Sequence, residues 1–218
     1  LLNVDSEKAF PVLEKILKES DSPKLRKQAV FVISQSRHPR VTEIMADLAL
    51  KDPDREVREN AIFWLGQRRD EESFNILSKI YTKTDDYKIK ENIIFAFSQH
   101  GSDKASEKLV EIAKKDTDPK AREQAIFWLG QRKDEESLKV LAGLYNDQLE
   151  YGIKEKLIFA FSQHRNDQAF NKLAEIAEKD SDPKAREQAI FWLGQSKNEA
   201  ALKYLRELLE LSLIHISE

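Results

Sequence analysis

Asp116-Thr117-Asp118-Pro119-Lys120-Ala121-Arg122-Glu123-Gln124-Ala125 runs directly into Ile126-Phe127-Trp128-Leu129-Gly130-Gln131, and this stretch decides the fold. Asp118 is a good N-cap, because its side-chain oxygen can accept from the first free amides of a helix. Pro119 suits the first helical position, where no amide proton is needed. Ala121, Ala125, Ile126 and Leu129 then follow at helical spacing. Upstream, Ala105, Leu109, Ile112 and Ala113 show the same spacing and predict a helix over 103–115. The unit is therefore a helix pair, A then B, with the Asp-Pro break between them. The same punctuation returns at Asp180-Ser181-Asp182-Pro183 and, altered, at Asp52-Pro53-Asp54. Arg68, Arg69, Arg132 and Lys133 close B helices, where the helix dipole favours cations. Asp70-Glu71-Glu72 and Asp134-Glu135-Glu136 open A helices, where it favours anions.

The pair recurs at a fixed period. Gln35, Gln67, Gln99, Gln131, Gln163 and Gln195 stand 32 residues apart without an insertion. Four residues before each stand Phe31, Phe63, Phe95, Phe127, Phe159 and Phe191, and nine before stand Arg26, Arg58, Lys90, Arg122, Lys154 and Arg186. A 64-residue period overlies the first, with Ser34, Gly66, Ser98, Gly130, Ser162 and Gly194 alternating before the Gln. Val32, Trp64, Ala96, Trp128, Ala160 and Trp192 alternate small and large. A Trp in one layer is expected to fill the space left by Ala in the next.

The fold expected is all-α: a right-handed α-solenoid, or superhelix, of about six 32-residue helix-pair repeats. Their expected bounds are 4–36, 37–68, 69–100, 101–132, 133–164 and 165–196, with an extra helix over 198–210. Residues 1–210 are read as one repeat domain. Residues 211–218 leave the pattern, and three origins stay open for them: an appended remnant, a sequence-end artefact or an apolar cap. Both ends read as interrupted, since Asn3 lies 32 residues before Gln35 in the register of a preceding B helix.

The Asp-Pro break, Arg122 and the closing Leu129-Gly130 resemble a HEAT repeat, most similar to the short HEAT-like repeats of phycobiliprotein lyases. The resemblance spans about residues 4–210 and implies an armadillo-type superhelix whose B helices line the concave surface. It also implies that Asp52 bonds with Arg58, Asp116 with Arg122 and Asp180 with Arg186 between layers. The first, third and fifth repeats depart from it, with Ser20, Thr84 and Gln148 in the Asp place.

An angular reading of helix B at about 100° per residue separates its two sides. Ala121, Ala125, Ile126 and Leu129 mark the buried side, with Trp128 at its edge. Phe127 points almost opposite, among Lys120, Glu123, Gln124 and Gln131. The outward face thus carries the six Phe and six Gln named above, with Asn60, Asn92, Gln124 and Gln188. These residues are the candidate partner-binding set. Amides can hold the backbone of an extended peptide while the rings pack on its apolar side chains. The competing reading is that curvature packs each Phe against its neighbour.

Net charge is −3 with both signs interspersed, which argues against a general nucleic-acid binder. There are no cysteines, so disulfides, thiolate metal sites and a Cys nucleophile are excluded. No apolar run has the roughly 18 residues of a membrane span. Compartment is not readable. His100 and His164 lie two layers apart, about 20 Å at ordinary helix spacings, too far to share one metal. His38 and His215 are isolated. No His-Glu pair occurs, so the iron ligands of HEAT-repeat hydroxylases have no counterpart. No catalytic residues, metal or cofactor are expected.

The leading expectation is a non-catalytic protein-binding scaffold or adaptor, not an enzyme, with a protein or peptide in the concave groove. Two alternatives stand beside it. One is an accessory domain of an enzyme, or a lyase- or glycosylase-like HEAT enzyme. The other is a structural spacer that self-associates.

Overall fold

The computed structural model describes residues 6–36, 38–146, 148–196, 201–202 and 204–206, and among them there is no strand. The chain divides into two compact units between Lys108 and Leu109. Unit 1 holds α1 (Ser6–Glu19), α2 (Pro23–Ser34), α3 (Val41–Lys51), α4 (Arg55–Arg68), α5 (Glu71–Lys83), α6 (Tyr87–His100) and the opening of α7 (Asp103–Lys115). Unit 2 holds the rest of α7, then α8 (Pro119–Gln131), α9 (Glu135–Leu144), α10 (Tyr151–His164), α11 (Asp167–Lys179) and α12 (Pro183–Gln195). The even-numbered helices are the B helices. Residues 201–202 and 204–206 are helical, within the extra helix expected over 198–210. The start of the first repeat at residue 4, the register at Leu1 to Asn3 and the tail 211–218 lie outside the described residues.

Within each unit, each B helix packs on its neighbours. α4 packs on α3, α2 and α6; α10 packs on α9, α8 and α12. The side facing this packing is the one the helical spacing selects. Ala61, Ile62 and Leu65 of α4 are buried, as are Ala121, Ala125, Ile126 and Leu129 of α8.

The breaks repeat one hydrogen-bonding scheme. The carboxylates of Asp54, Asp118 and Asp182 cap B helices by accepting from the amides of Val57, Lys120 and Lys184. Two residues earlier, Asp52, Asp116 and Asp180 each accept from the amide of the capping Asp at 2.8–2.9 Å. Two carboxylates thus satisfy amides that the helix start leaves open.

The expected pairing of Asp52 with Arg58, and its two equivalents, is corrected. Nη1 of Arg58, Arg122 and Arg186 donates to the backbone carbonyl of Asp52, Asp116 and Asp180, not to the carboxylate. The carboxylate reaches the preceding repeat instead. Asp52 accepts from Nε and Nη2 of Arg26 at 2.9 and 3.0 Å. Asp180 accepts from Nζ of Lys154 at 2.6 Å and from the Tyr145 hydroxyl. The hydrogen bond to Asp52 is the main cause raising the Arg26 guanidinium above its ordinary value. Burial pushes the Asp180 carboxyl up, but the bonds from Lys154 and Tyr145 outweigh it and leave it below the ordinary value. These pairs join an odd repeat to the following even one, so they follow the 64-residue period. In the other direction Thr84 and Gln148 occupy the Asp place.

The small-large alternation has a physical cause different from volume compensation. A Cβ added at Gly66 would lie 2.6 Å from the Ala96 Cβ, and one at Gly130 would lie 2.7 Å from the Ala160 Cβ. The even-repeat Gly therefore lets its helix approach the Ala of the next repeat closely. The Trp residues do not fill that gap. Trp64 sits between Phe31 and Phe63, with ring centroids 5.5 and 5.1 Å away. Trp192 sits likewise between Phe159 and Phe191, at 5.4 and 5.1 Å. The structure thus alternates two kinds of B-helix contact, one filled by an aromatic triad and one closed down on Gly and Ala.

Candidate functional site

The candidate site is the outward face of the B helices, described for each unit separately. In unit 1, Phe31 and Phe63 are 52% and 45% exposed. In unit 2, Phe127 and Phe191 are 36% and 53% exposed. Phe95 and Phe159 are half-buried. The face is therefore apolar and solvated, yet its rings are held by the neighbouring Trp. Edge-on and tilted contacts at these centroid distances are favourable. Preformed rings lose less conformational freedom on binding than free ones. Full burial of a Phe contributes about 1.5–3 kcal/mol, so covering the open half of one ring is worth about 1 kcal/mol.

The Gln row splits in two along the Ser/Gly alternation. Ser34, Ser98 and Ser162 donate to the carbonyls of Phe31, Phe95 and Phe159 at 2.7 Å each. The same hydroxyls accept from Nε2 of Gln35, Gln99 and Gln163 at 3.0–3.2 Å. Those three amides are tethered to their own helix. Gln67, Gln131 and Gln195 follow Gly, are exposed, and make no hydrogen bond among the described residues. Asn60 spends its Nδ2 on the Glu56 carbonyl at 2.8 Å, and its Oδ1 accepts nothing there. Asn92 and Gln188 are half-buried on α6 and α12. Gln188 bonds the Tyr151 hydroxyl, whose pKa is raised by burial first and by Glu155 second. Gln124 is half-buried on α8. Mixed charge flanks the row: Glu59 with Arg55 at 3.0 Å, Glu91 with Lys88 at 2.5 Å, and Glu56 with Lys27.

One concavity on this face lies between α4 and α6. A hollow of about 240 Å³ in unit 1 is lined by Glu59, Asn60, Phe63, Gly66, Gln67, Asn92, Phe95 and Ala96. Sequence reading placed the Phe, Asn and Gln here but missed the hollow. Its signal was the pairing of Gly66 with Ala96 one repeat later.

The histidines do not converge. Among the described residues there is no group of three His, Asp or Glu side chains that could hold a metal ion. His100 bonds Ser102 Oγ through Nδ1 at 2.8 Å and the Asp70 carbonyl through Nε2 at 3.3 Å. His38 stacks on Phe10 at 3.8 Å. His215 lies outside the described residues. His164, in the position matching His100, is 8% exposed and neither ring nitrogen has a partner. Burial, with Lys133 adding to it, holds its pKa below the ordinary value despite Asp134. Ser102 Oγ both caps Ala105 and bonds its histidine, whereas Asn166 caps Ala169 and makes no bond to His164. No described helix is long and apolar enough to cross a membrane.

Comparison with known proteins gives two family matches. HEAT repeats match residues 10–98, and the PBS lyase HEAT-like repeat matches residues 185–210. No curated protein matches the chain. Among solved structures, human deoxyhypusine hydroxylase in complex with glycerol matches at 20% identity and a TM-score of 0.41. The match covers 91% of this chain and 77% of the hydroxylase. The expectation of a non-catalytic scaffold or adaptor is corrected on this finding, because the matched structure is that of an enzyme. At this level of likeness nothing of the hydroxylase's site or reaction passes to this chain.

Proposed function

The chain is a HEAT-repeat protein whose repeats resemble those of the phycobiliprotein-lyase type, and from that premise we propose that it is the recognition domain of an enzyme system. In this reading it holds a polypeptide on the outward face of its B helices, and catalytic groups are supplied from elsewhere. Stacked helix pairs commonly present extended surfaces to protein partners. The observation that carries the reading is that each unit bears solvated, Trp-braced Phe rings beside untethered amides. Phe63 and Phe127 supply open apolar area, while Gln67 and Gln131 supply donors and acceptors at the same helix ends. The enzyme-linked half draws support from residues 185–210, whose repeat type is named for a lyase.

The test uses the full chain with Phe63, Phe127 and Phe191 replaced by Ser. These three are exposed, so helicity by circular dichroism should persist. Partners captured from the source cell are identified by mass spectrometry. Loss of an enzyme, or of an enzyme's polypeptide substrate, from the triple variant supports the reading. Unchanged capture overturns it, as does capture of a second copy of this chain alone.

A further inference from the structure

The hollow in unit 1 has chemistry beyond a general apolar groove. Phe63 and Phe95 form two of its walls, and Gly66 with Ala96 gives it a floor without side-chain bulk. It exists because residue 96 is Ala. In the preceding contact the equivalent residue, Trp64, lies against both Phe31 and Phe63.

Its polar rim is biased towards acceptors. Nδ2 of Asn60 is used within α4, which leaves Oδ1. Glu59 receives Arg55 on Oε1, and Oε2 accepts nothing among the described residues. Lys88 is engaged by Glu91, and the second arm of Arg55 by Asp86. Asn92 and Gln67 make no hydrogen bond there and can turn their carbonyl oxygens inward. A hydrocarbon guest would cover four polar side chains and leave an acceptor oxygen on each without a donor, which is costly. Aromatic rings and a carboxylate on one hollow favour a cation. A flat cation with several donors suits the walls and the rim better than a compact ammonium does.

We infer that the hollow between Phe63 and Phe95 receives one arginine side chain of the bound polypeptide, an inference that rests on polypeptide recognition by this face. The guanidinium lies against the rings and donates to Glu59 Oε2 and the amide oxygens of Asn60, Gln67 and Asn92.

The test is a titration of the isotopically labelled full chain with N-acetyl-arginine methylamide, followed through side-chain amide resonances. The citrulline counterpart has nearly the same shape without the charge. Arginine should shift the resonances of Asn60, Gln67 and Asn92, and citrulline should bind at least about fivefold more weakly. Glu59→Gln should weaken arginine binding by about threefold or more. Phe63→Leu, which keeps an apolar wall but loses the ring face, should weaken it by about threefold. Both variants must retain wild-type helicity. Equal binding of arginine and citrulline, or no effect of Glu59→Gln, overturns the assignment. Partner capture that Glu59→Gln leaves intact but the triple Ser variant abolishes overturns the arginine pocket and leaves polypeptide recognition standing. Capture untouched by the triple variant overturns recognition itself.

Discussion

The buried pair in unit 2 offers the sharpest test of how the repeats are held together. Lys154 and Asp180 are both 1% exposed at the side chain, with Nζ 2.6 Å from the carboxylate. Replacing Asp180 with Asn preserves shape and the turn-closing acceptor for the Asp182 amide, but leaves a cation buried without its anion. Breaking one side of such a pair costs about 3–5 kcal/mol. That is a large fraction of the total stability of a unit of this size. Lys154→Met is milder. The carboxylate it strands keeps the Tyr145 hydroxyl and the Asp182 amide, so about 2 kcal/mol is expected. The double variant should recover most of the Asp180→Asn loss. Urea unfolding of the full chain, followed by circular dichroism, measures all three. A loss below about 1 kcal/mol for Asp180→Asn, or equal losses for both single variants, would refute the asymmetric burial argument.

Two further outcomes follow from packing and titration. Gly130→Ala places a Cβ 2.7 Å from that of Ala160 and 3.1 Å from its Cα, so α8 and α10 must separate. Overpacking costs about 1–3 kcal/mol and helix propensity returns less than 1, so the urea midpoint should fall; a rise would contradict the close approach. His164 has a folded pKa below its ordinary 6.5. The stability contributed by its neutral ring is complete above pH 6.5 and is lost as pH falls through the lower folded value. His164→Phe should flatten that fall in urea midpoints between pH 8 and 5. An unaltered slope would show that the ring is protonated at no cost, against its two unpartnered nitrogens.

Much of the fold was legible because the repeat writes its own grammar. The Asp-x-Asp break states where helix B begins, and Ala121, Ala125 and Leu129 state which side is buried. The partners that one layer offers the next are less legible. The family resemblance implies a bond between layers from Asp52 to Arg58, whereas the Asp52 carboxylate reaches back to Arg26 across 26 residues. Trp64, expected to fill the space left by Ala in the next layer, instead braces Phe31 and Phe63 on the outward face. His100 and His164 occupy matching positions, yet His100 bonds Ser102 and the Asp70 carbonyl while both His164 nitrogens lack partners. All three depend on what the neighbouring layer presents, which helical periodicity does not encode. The function was least legible, since the repeated residues are chiefly those that stack layers.

The central claim is that the Phe-bearing face of the B helices is where a polypeptide is held. A photo-crosslinking phenylalanine at position 127, compared with one at the exposed Lys139 of α9, tests it most directly. A crosslink to another polypeptide is expected from position 127 and none from position 139. Crosslinks of equal yield from both positions, or from position 127 only to a second copy of the chain, would contradict it.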